Sequence, residues 1–159
     1  FPKIDEKSFN EISEFDGEIN LYKLLNGNVK ILDRLESELN GVFNFIKYYN
    51  QEIRQQNNIA SMNIISKLSK LNRDLIDIHI ESIKHYYNDL AKVKLNQDSA
   101  NLTFSFLHKD YKEINNLYNL NWNNAINIID SFDRQLTTQN EVLYLINLFN
   151  SLGSHLKHN

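Results

Sequence analysis

The chain contains no cysteine, one proline and only four glycines among its 159 residues. Without cysteine it has no disulfide framework, no thiol nucleophile, no iron–sulfur cluster and no Cys-ligated zinc site. β-Sandwiches, β-barrels, Rossmann domains and P-loop enzymes depend on tight turns or on a glycine-lined phosphate loop, so the shortage of glycine and proline disfavours them. The composition therefore favours a helical protein whose stability comes from packing alone.

The distribution of charge and of apolar residues disfavours two further classes. Lys and Arg number 17 and Asp and Glu 20, for a formal net charge of −3, and both signs are scattered along the chain. Because no basic stripe is present, we expect no nucleic-acid partner. The uncharged apolar runs are a few residues long, far short of the roughly 20 that cross a bilayer, so we expect no transmembrane segment.

The first helix is predicted from a capping-box spacing. Ser8 and Glu11 are three residues apart, and apolar residues then recur at intervals of three and four. We expect this helix to run from Ser8 to about Leu25, with Gly27 as its left-handed stop. Residues 1–7 would form a flexible N-terminal segment.

The clearest pattern is a heptad repeat in the second predicted helix, which Asn28 would cap. Its seam consists of Leu32, Leu35, Leu39, Val42, Ile46, Tyr49 and Ile53. A polar cluster at residues 55–58 then interrupts the seam. The apolar rhythm resumes at Ile64, Leu68, Leu71, Leu75 and Ile78. Two interpretations are open: a corner near Asn57, which we favour, or one continuous helix over residues 28–95.

The second half of the chain repeats the helical pattern. No glycine or proline lies between Gly41 and Gly153, so this span favours long helices separated by polar corners. Residues 95–99 lose the periodicity and are expected to form a loop. A third long helix is predicted over residues 101–136.

A short final helix completes the predicted fold. Thr138 and Glu141 repeat the capping-box spacing, so we expect a helix over residues 139–152 that the following glycine stops, leaving residues 153–159 as a C-terminal tail. The whole pattern predicts an all-α, up-and-down bundle of about five helices with long, coiled-coil-like central helices. It would form one domain over residues 1–159.

One stripe of side chains has metal-ligating chemistry. Asp77, Glu81 and His85 follow one another at i, i+4 spacing, with His79 nearby, and could project from one helical face. The alternative, which we favour, is a solvated face on which Glu81 and His85 pair across one turn. We therefore predict no metal site and no cofactor.

Catalytic patterns are also missing from the sequence. It has no Gly-x-Ser-x-Gly elbow, and no Glu is followed three residues later by His. Paired carboxylates such as Asp130 and Asp133 are typical of an acidic helix surface, and nothing in the sequence places a carboxyl group in an apolar pocket. We therefore expect that the protein is not an enzyme.

The aromatic residues are the remaining candidates for a binding surface. Adjacent residues diverge by about 100° on a helix, so two neighbouring tyrosines cannot both point into one narrow seam. A flanking tyrosine either covers a second helix or anchors a partner at an interface. The residues predicted to contact a partner are Tyr48, Tyr49, Tyr86, Tyr87 and Trp122.

The leading functional hypothesis is a non-enzymatic interaction protein that binds a protein partner or self-assembles through aromatic-rich helix faces. A first alternative is a carrier that holds a fatty acid or similar apolar ligand inside the bundle. The residues expected to line its cavity are Phe104, Leu107, Phe132, Leu143 and Phe149. A second alternative is a membrane-surface scaffold, which requires one continuous helix over residues 28–95 and is disfavoured by the scattered lysines.

Two features bear on the compartment. The chain begins Phe1-Pro2-Lys3 without an initiator Met, which fits a secreted protein after removal of a signal peptide. A glycosylation sequon, Asn101-Leu102-Thr103, makes Asn101 a candidate glycosylation site. We expect a secreted protein, while the absence of cysteine leaves a cytoplasmic origin as the alternative.

Overall fold

A computed structural model describes residues 5–11, 17–25, 38–55, 62–132 and 140–157. These residues form eight α-helices and contain no β-strand, so the predicted all-α class is confirmed for this part of the chain. The helices are α1 (Glu6–Glu11), α2 (Leu21–Leu24), α3 (Leu39–Arg54), α4 (Met62–Ser69), α5 (Arg73–Lys94), α6 (His108–Leu117), α7 (Trp122–Phe132) and α8 (Glu141–Lys157). Two 3₁₀ turns, Ser99–Asn101 and Ser105–Leu107, lie between α5 and α6.

The single helix predicted from Ser8 to Leu25 is wrong. The amide of Ser8 donates to Asp5 Oδ1 at 2.9 Å, so Asp5 caps a short α1 that already includes residues 6 and 7. Gly17 follows with a φ of +85°, which lies in the left-handed region that favours glycine, and a turn here separates α1 from α2. Gly27 lies outside the described residues.

The heptad seam is confirmed where the structure describes it. Five seam positions of α3 are buried: Leu39, Val42, Ile46, Tyr49 and Ile53. The earlier positions, Leu32 and Leu35, and the expected cap Asn28 fall outside the described residues. The apolar face of α3 packs against α5 and α6, and burial of a seam leucine or isoleucine contributes about 1.5–3 kcal/mol.

One continuous helix over residues 28–95 is wrong. The helix α3 ends at Arg54, α4 runs from Met62 to Ser69, and three residues separate its end from the start of α5 at Arg73. The second break occurs at Asn72, whose side-chain oxygen accepts a hydrogen bond from the Leu75 amide at 3.0 Å and so caps α5. Asn57, the predicted corner, lies outside the described residues.

The third long helix predicted over residues 101–136 is also wrong. Its first part consists of 3₁₀ turns, and a break at Tyr118–Asn121 separates α6 from α7. Tyr118 has extended backbone angles, and Asn121 Oδ1 accepts from the Asn123 amide at 3.1 Å, as an N-cap does. Asparagine N-caps therefore start new helices at these two breaks, where neither glycine nor proline is present.

The final helix starts and ends later than predicted. Asn140 accepts hydrogen bonds from the amides of Val142 and Leu143, so it caps α8, and Thr138 lies outside the described residues. The helix also continues through Gly153 to Lys157, so residues 153–157 are not a tail. Gly153 is buried one turn after Phe149, on the face that packs into the core, and this packing continues the helix across a residue of low helix propensity.

The core is organised around α5 rather than along a row of equal helices. This helix packs against α2, α3, α4, α6 and α7, while α8 packs against α4 and α7. The predicted up-and-down arrangement of about five helices is not confirmed. Because α5 is surrounded, its apolar residues extend over more than one face, and both Tyr86 and Tyr87 are fully buried. No helix in the described ranges combines the length and the apolar content needed to cross a bilayer.

Candidate functional site

Most residues predicted to contact a partner lie in the core. Tyr49, Tyr86 and Tyr87 are 0% exposed and Trp122 is 1% exposed, so these side chains are not available to a partner in this fold. The prediction that they form a binding surface is therefore corrected. The adjacent tyrosines of α5 are both buried because helices surround α5. Of the two roles that the sequence allows for a flanking tyrosine, this is packing against a second helix.

Tyr48 is the exception within this set, because it is half-buried at the surface of α3. The ammonium of Lys67 on α4 lies 4.7 Å from the centre of its ring, a cation–π distance. Burial first, and then the carboxylate of Glu52, raises the pKa of Tyr48. The ring thus joins α3 to α4, and a partner could reach only its outer part.

The residues predicted to line an apolar cavity do not converge. Phe104 and Phe149 are fully buried in packed parts of the core, whereas Leu143 is 50% exposed on α8. Phe132 is half-buried, and its ring lies 6.4 Å from that of Tyr144. A groove of about 630 Å³ between α3 and α6 includes Leu107 but none of the other four. The predicted cavity set is therefore corrected.

The groove between α3 and α6 carries charges that are already paired. Arg54 lies 2.7 Å from a carboxylate oxygen of Glu113 and 3.4 Å from one of Asp110. Asn50, at the buried side of the groove, donates to Asp110 at 2.9 Å and accepts from Tyr86 at 2.8 Å. These contacts compensate one another, so the groove has no excess charge that would select a ligand.

A second pocket differs in this respect. It has a volume of about 460 Å³ and lies between α2, α5 and the segment that follows the first 3₁₀ turn. We call it the lysine pocket, and its lining residues are Tyr22, Lys23, His85, Asn88, Lys92 and Thr103.

Two helices supply the cations of the lysine pocket. Asn20 caps α2 by accepting from the amide of Lys23 at 3.1 Å, and Lys23 is the third residue of this four-residue helix, which packs against α5. His85, Asn88 and Lys92 follow one another on α5 at intervals of three and four residues, so they share one face of that helix.

The two lysines converge on one backbone oxygen. The ammonium of Lys23 donates to the carbonyl oxygen of Asn101 at 2.8 Å, and that of Lys92 donates to the same oxygen at 2.9 Å. Burial first, and then the adjacent Lys23, lowers the pKa of Lys92. One carbonyl dipole therefore holds two positive charges, and each ammonium keeps further N–H donors for another acceptor.

Asp89 anchors the wall of the pocket from inside the core. It is 0% exposed and accepts three hydrogen bonds: from the amides of Thr103 and Phe104, both at 2.9 Å, and from the hydroxyl of Tyr111 at 2.8 Å. Burial raises the pKa of Asp89 to about 6, although these three donors act in the opposite direction. The backbone carbonyl oxygen of Thr103 in turn accepts a hydrogen bond from the amide of Asn20 at 2.6 Å.

His85 completes the pocket and has an unusual hydrogen-bonding state. Its Nδ1 lies 3.2 Å from the hydroxyl of Thr103, whereas its Nε2 is buried and has no hydrogen-bond partner among the described residues. The nearest carboxylate oxygen, on Glu81, is 3.7 Å from Nε2, which is too long for a hydrogen bond. Burial first, and then the ammonium groups of Lys84, Lys92 and Lys23, lowers the pKa of His85 to about 4.

The stripe considered as a metal site does not gather around an ion. Glu81 lies 3.7 Å from both His85 and Lys84, which is too long for a hydrogen bond. Because the His85 side chain is largely buried, this face is not the solvated one that the favoured interpretation expects. Asp77 is exposed, while His79 is buried and its Nδ1 lies 2.7 Å from the carbonyl oxygen of Leu75. Within the ranges that the structure describes, no group of three or more potential ligands could hold a metal ion.

Asn101 is exposed at the rim of the lysine pocket, although its carbonyl oxygen holds both lysines. Thr103, the third residue of the sequon, is buried in the folded chain. Glycosylation of Asn101 stays a prediction, and a glycan there would stand beside the pocket.

Sequence reasoning missed Asp89, Lys23 and Lys92. The signal for Asp89 was present, because it occupies a core position of α5 three residues after Tyr86 and four before Val93. No local pattern could identify Lys23 and Lys92 as a pair, since they come from separate helices and meet through the carbonyl group of a third segment.

Comparison of the chain with protein-family models, curated proteins and solved structures gives no match. The geometry and charge of the lysine pocket are therefore the basis for a functional proposal.

Proposed function

We propose that this chain is a non-enzymatic binding protein and that the lysine pocket binds an anionic group. The observation that carries the proposal is the convergence of two ammonium groups, those of Lys23 and Lys92, on one carbonyl oxygen in the lysine pocket. The proposal retains the class of function expected from the sequence and moves its site from the tyrosines to this pocket.

Electrostatics supports an anion as the missing partner. Two unit charges separated by about two hydrogen-bond lengths near a protein surface repel each other by on the order of 3 kcal/mol. The carboxylates of Asp89 and Glu6 offset part of the charge on Lys92. Both also accept other hydrogen bonds, Asp89 from three donors and Glu6 from the side-chain amide of Asn20. An anion in the pocket would accept from both ammonium groups and would offset their repulsion, and such charge-assisted hydrogen bonds contribute about 1.5–3 kcal/mol each.

The other sequence-derived hypotheses find less support. A carrier of an apolar ligand needs one shared apolar cavity, and the residues expected to line it lie in separate places. A membrane-surface scaffold needs one continuous helix over residues 28–95, and the break before Arg73 interrupts it.

The experiment titrates the protein with inorganic sulfate at constant ionic strength and follows the amide signals of Thr103 and Phe104 by NMR. Sulfate is a suitable first probe because its charge does not change near neutral pH. We expect saturable shifts in the wild type. Lys23→Gln or Lys92→Gln should weaken binding about tenfold or more, because each removes one charge-assisted hydrogen bond.

The matched control is Lys109→Gln, which removes the same charge from an exposed position on α6. It should leave the affinity within about twofold of the wild type. Removing one of two repelling charges should also leave the stability of the ligand-free protein unchanged or higher, so a loss of binding would not reflect unfolding. Wild-type signals that do not saturate, or an equal loss in the control, would refute the proposal.

A further inference from the structure

The ammonium groups of Lys23 and Lys92 lie close together because they share one acceptor. Both donate to the carbonyl oxygen of Asn101, at 2.8 and 2.9 Å, so the two nitrogens are at most two hydrogen-bond lengths apart. Loss of one proton would remove the repulsion between the two charges. A neutral amine still has two N–H groups, so its hydrogen bond to Asn101 can remain. The pair is therefore easier to deprotonate than two separate lysines.

The surroundings favour Lys92 as the lysine that loses its proton. Its side chain is half-buried on α5, the helix around which the core is organised. Burial first, and then the charge of Lys23 on α2, lowers the pKa of Lys92, whereas the carboxylates of Asp89 on α5 and Glu6 on α1 act in the opposite direction. His85 is neutral at pH 7, because its pKa is about 4, and the other residues that line the lysine pocket are uncharged.

A neutral lysine amine is a nucleophile, and proximity to a second cation is one of the ways in which proteins activate it. Lys92 lines a pocket of about 460 Å³, so a small molecule can reach its side chain. An aldehyde is the electrophile that fits this site, because its reaction with an amine releases only water. The reaction needs no oxidant, no cofactor and no other leaving group.

We propose that Lys92 is a reversible covalent binding site for small aldehydes, activated by Lys23 on the shared carbonyl oxygen. The electron pair of Nζ of Lys92 attacks the carbonyl carbon and forms a C–N bond. The adjacent ammonium of Lys23 supplies a proton to the carbonyl oxygen, and the nitrogen of the adduct returns a proton to Lys23. Loss of that oxygen as water breaks the C–O bond and leaves an imine, which water can hydrolyse. This reactivity goes beyond anion binding and does not require that an anion bind.

The experiment is reductive alkylation with limiting acetaldehyde and sodium cyanoborohydride at pH 7. The hydride traps each imine as an ethylated lysine, and mass spectrometry of peptides gives the rate at each position. The reference is Lys109, which is exposed on α6. We expect Lys92 to react at least about fivefold faster than Lys109, because the fraction of neutral amine increases about tenfold for each unit by which a pKa is lowered.

Two variants of Lys23 separate the effect of its charge from that of access to the pocket. Lys23→Gln removes the charge and leaves Lys92 no less accessible, so it should slow the reaction of Lys92 to a rate close to that of Lys109. Lys23→Arg retains the charge and should retain the fast reaction. The matched control Lys109→Gln should leave the rate at Lys92 unchanged. Circular dichroism establishes that each variant is folded.

Two results would overturn the inference. One is a wild-type rate at Lys92 that does not exceed that at Lys109, and the other is an equally fast reaction of Lys92 in Lys23→Gln. Sulfate binding together with either of these results would refute the covalent site and leave the anion-binding function intact. Fast, Lys23-dependent reaction of Lys92 without sulfate binding would support the covalent site and refute the anion-binding function.

Discussion

The hydroxyl oxygens of Tyr49 and Tyr87 lie 2.6 Å apart in the interior, where α3 packs against α5. Both side chains are 0% exposed, and their rings meet edge to face with centroids 6.1 Å apart. The ring of Trp122 also stacks on Tyr87, with the two centroids 6.0 Å apart. Two residues that the sequence suggested for a partner thus bind each other, and burial first raises the pKa of each hydroxyl well above the physiological range.

Substitution of either tyrosine should reveal strong coupling. Tyr49→Phe or Tyr87→Phe leaves the other hydroxyl buried without its partner, so each should lower the free energy of unfolding by about 1–3 kcal/mol. The double variant removes both polar groups and should be less destabilised than the sum of the single variants by at least 1 kcal/mol. Urea unfolding followed by circular dichroism measures all three.

Tyr48→Phe is the matched control, because the Tyr48 side chain is only half-buried. It should change the free energy of unfolding by no more than about 0.5 kcal/mol. Additive effects of Tyr49→Phe and Tyr87→Phe would show that the two hydroxyls are not coupled.

The buried carboxyl of Asp89 should make stability fall as the pH rises. Its pKa is about 6 in the folded chain against an ordinary 3.8, so the folded state holds the proton more tightly. Its contribution to stability is fully present below pH 4 and is lost as the pH rises through 6, by about 3 kcal/mol in total. The free energy of unfolding of Asp89→Asn, relative to that of the wild type, should therefore increase by about 3 kcal/mol as the pH rises from 4 to 7.

The measurement is urea unfolding at several pH values, with the variant and the wild type compared at each. Asp89→Asn also disturbs hydrogen bonds to Thr103 and Phe104. The prediction therefore concerns how the stability difference between the variant and the wild type changes with pH, and not the size of that difference at any one pH. A difference that is constant over this pH range would show that Asp89 is ionised normally.

His85 should produce the opposite slope. Its pKa is lowered from 6.5 to about 4, so its contribution to stability is present above pH 6.5 and is lost as the pH falls towards 4, by about 3 kcal/mol. The free energy of unfolding of His85→Gln, relative to that of the wild type, should decrease by about 3 kcal/mol as the pH rises from 4 to 7. In the wild type the two effects nearly cancel, so neither is visible until one residue is replaced.

The titration of the imidazole itself provides the check. NMR should place the His85 pKa well below the ordinary histidine value of 6.5. An ordinary His85 pKa, or a pH slope of the same sign in His85→Gln and Asp89→Asn, would contradict the prediction.

The all-α class and the core face of α3 were predictable because they depend on local periodicity. Leu39, Val42 and Ile46 lie at heptad positions, and one buried face suffices to bury them all. The burial of Tyr86 and Tyr87 was not predictable, because it depends on how many helices surround α5. Sequence periodicity reports the period of a helix and not the number of its neighbours.

Helix ends were predicted poorly for a related reason. The shortage of glycine and proline suggested few breaks, yet Asn20, Asn72, Asn121 and Asn140 each accept amide hydrogen bonds at a helix start. The abundance of asparagine hid this signal, since most asparagines in the chain are not caps. The lysine pocket could not be predicted from the sequence, because it is formed by α2, α5 and the segment after α5, which meet only in the folded chain.

The Asn72 cap should stabilise the start of α5, because the apolar pattern of the sequence continues across the break between α4 and α5 and does not itself mark a helix end. Asn72→Ala removes the acceptor for the Leu75 amide and should lower the free energy of unfolding by about 1 kcal/mol, whereas Asn72→Asp or Asn72→Ser should retain most of the stability. The control is Asn127→Ala at an exposed position inside α7, where alanine should be neutral or slightly stabilising because its helix propensity is higher. If Asn72→Ala matched this control, the break between α4 and α5 would depend on packing rather than on the cap.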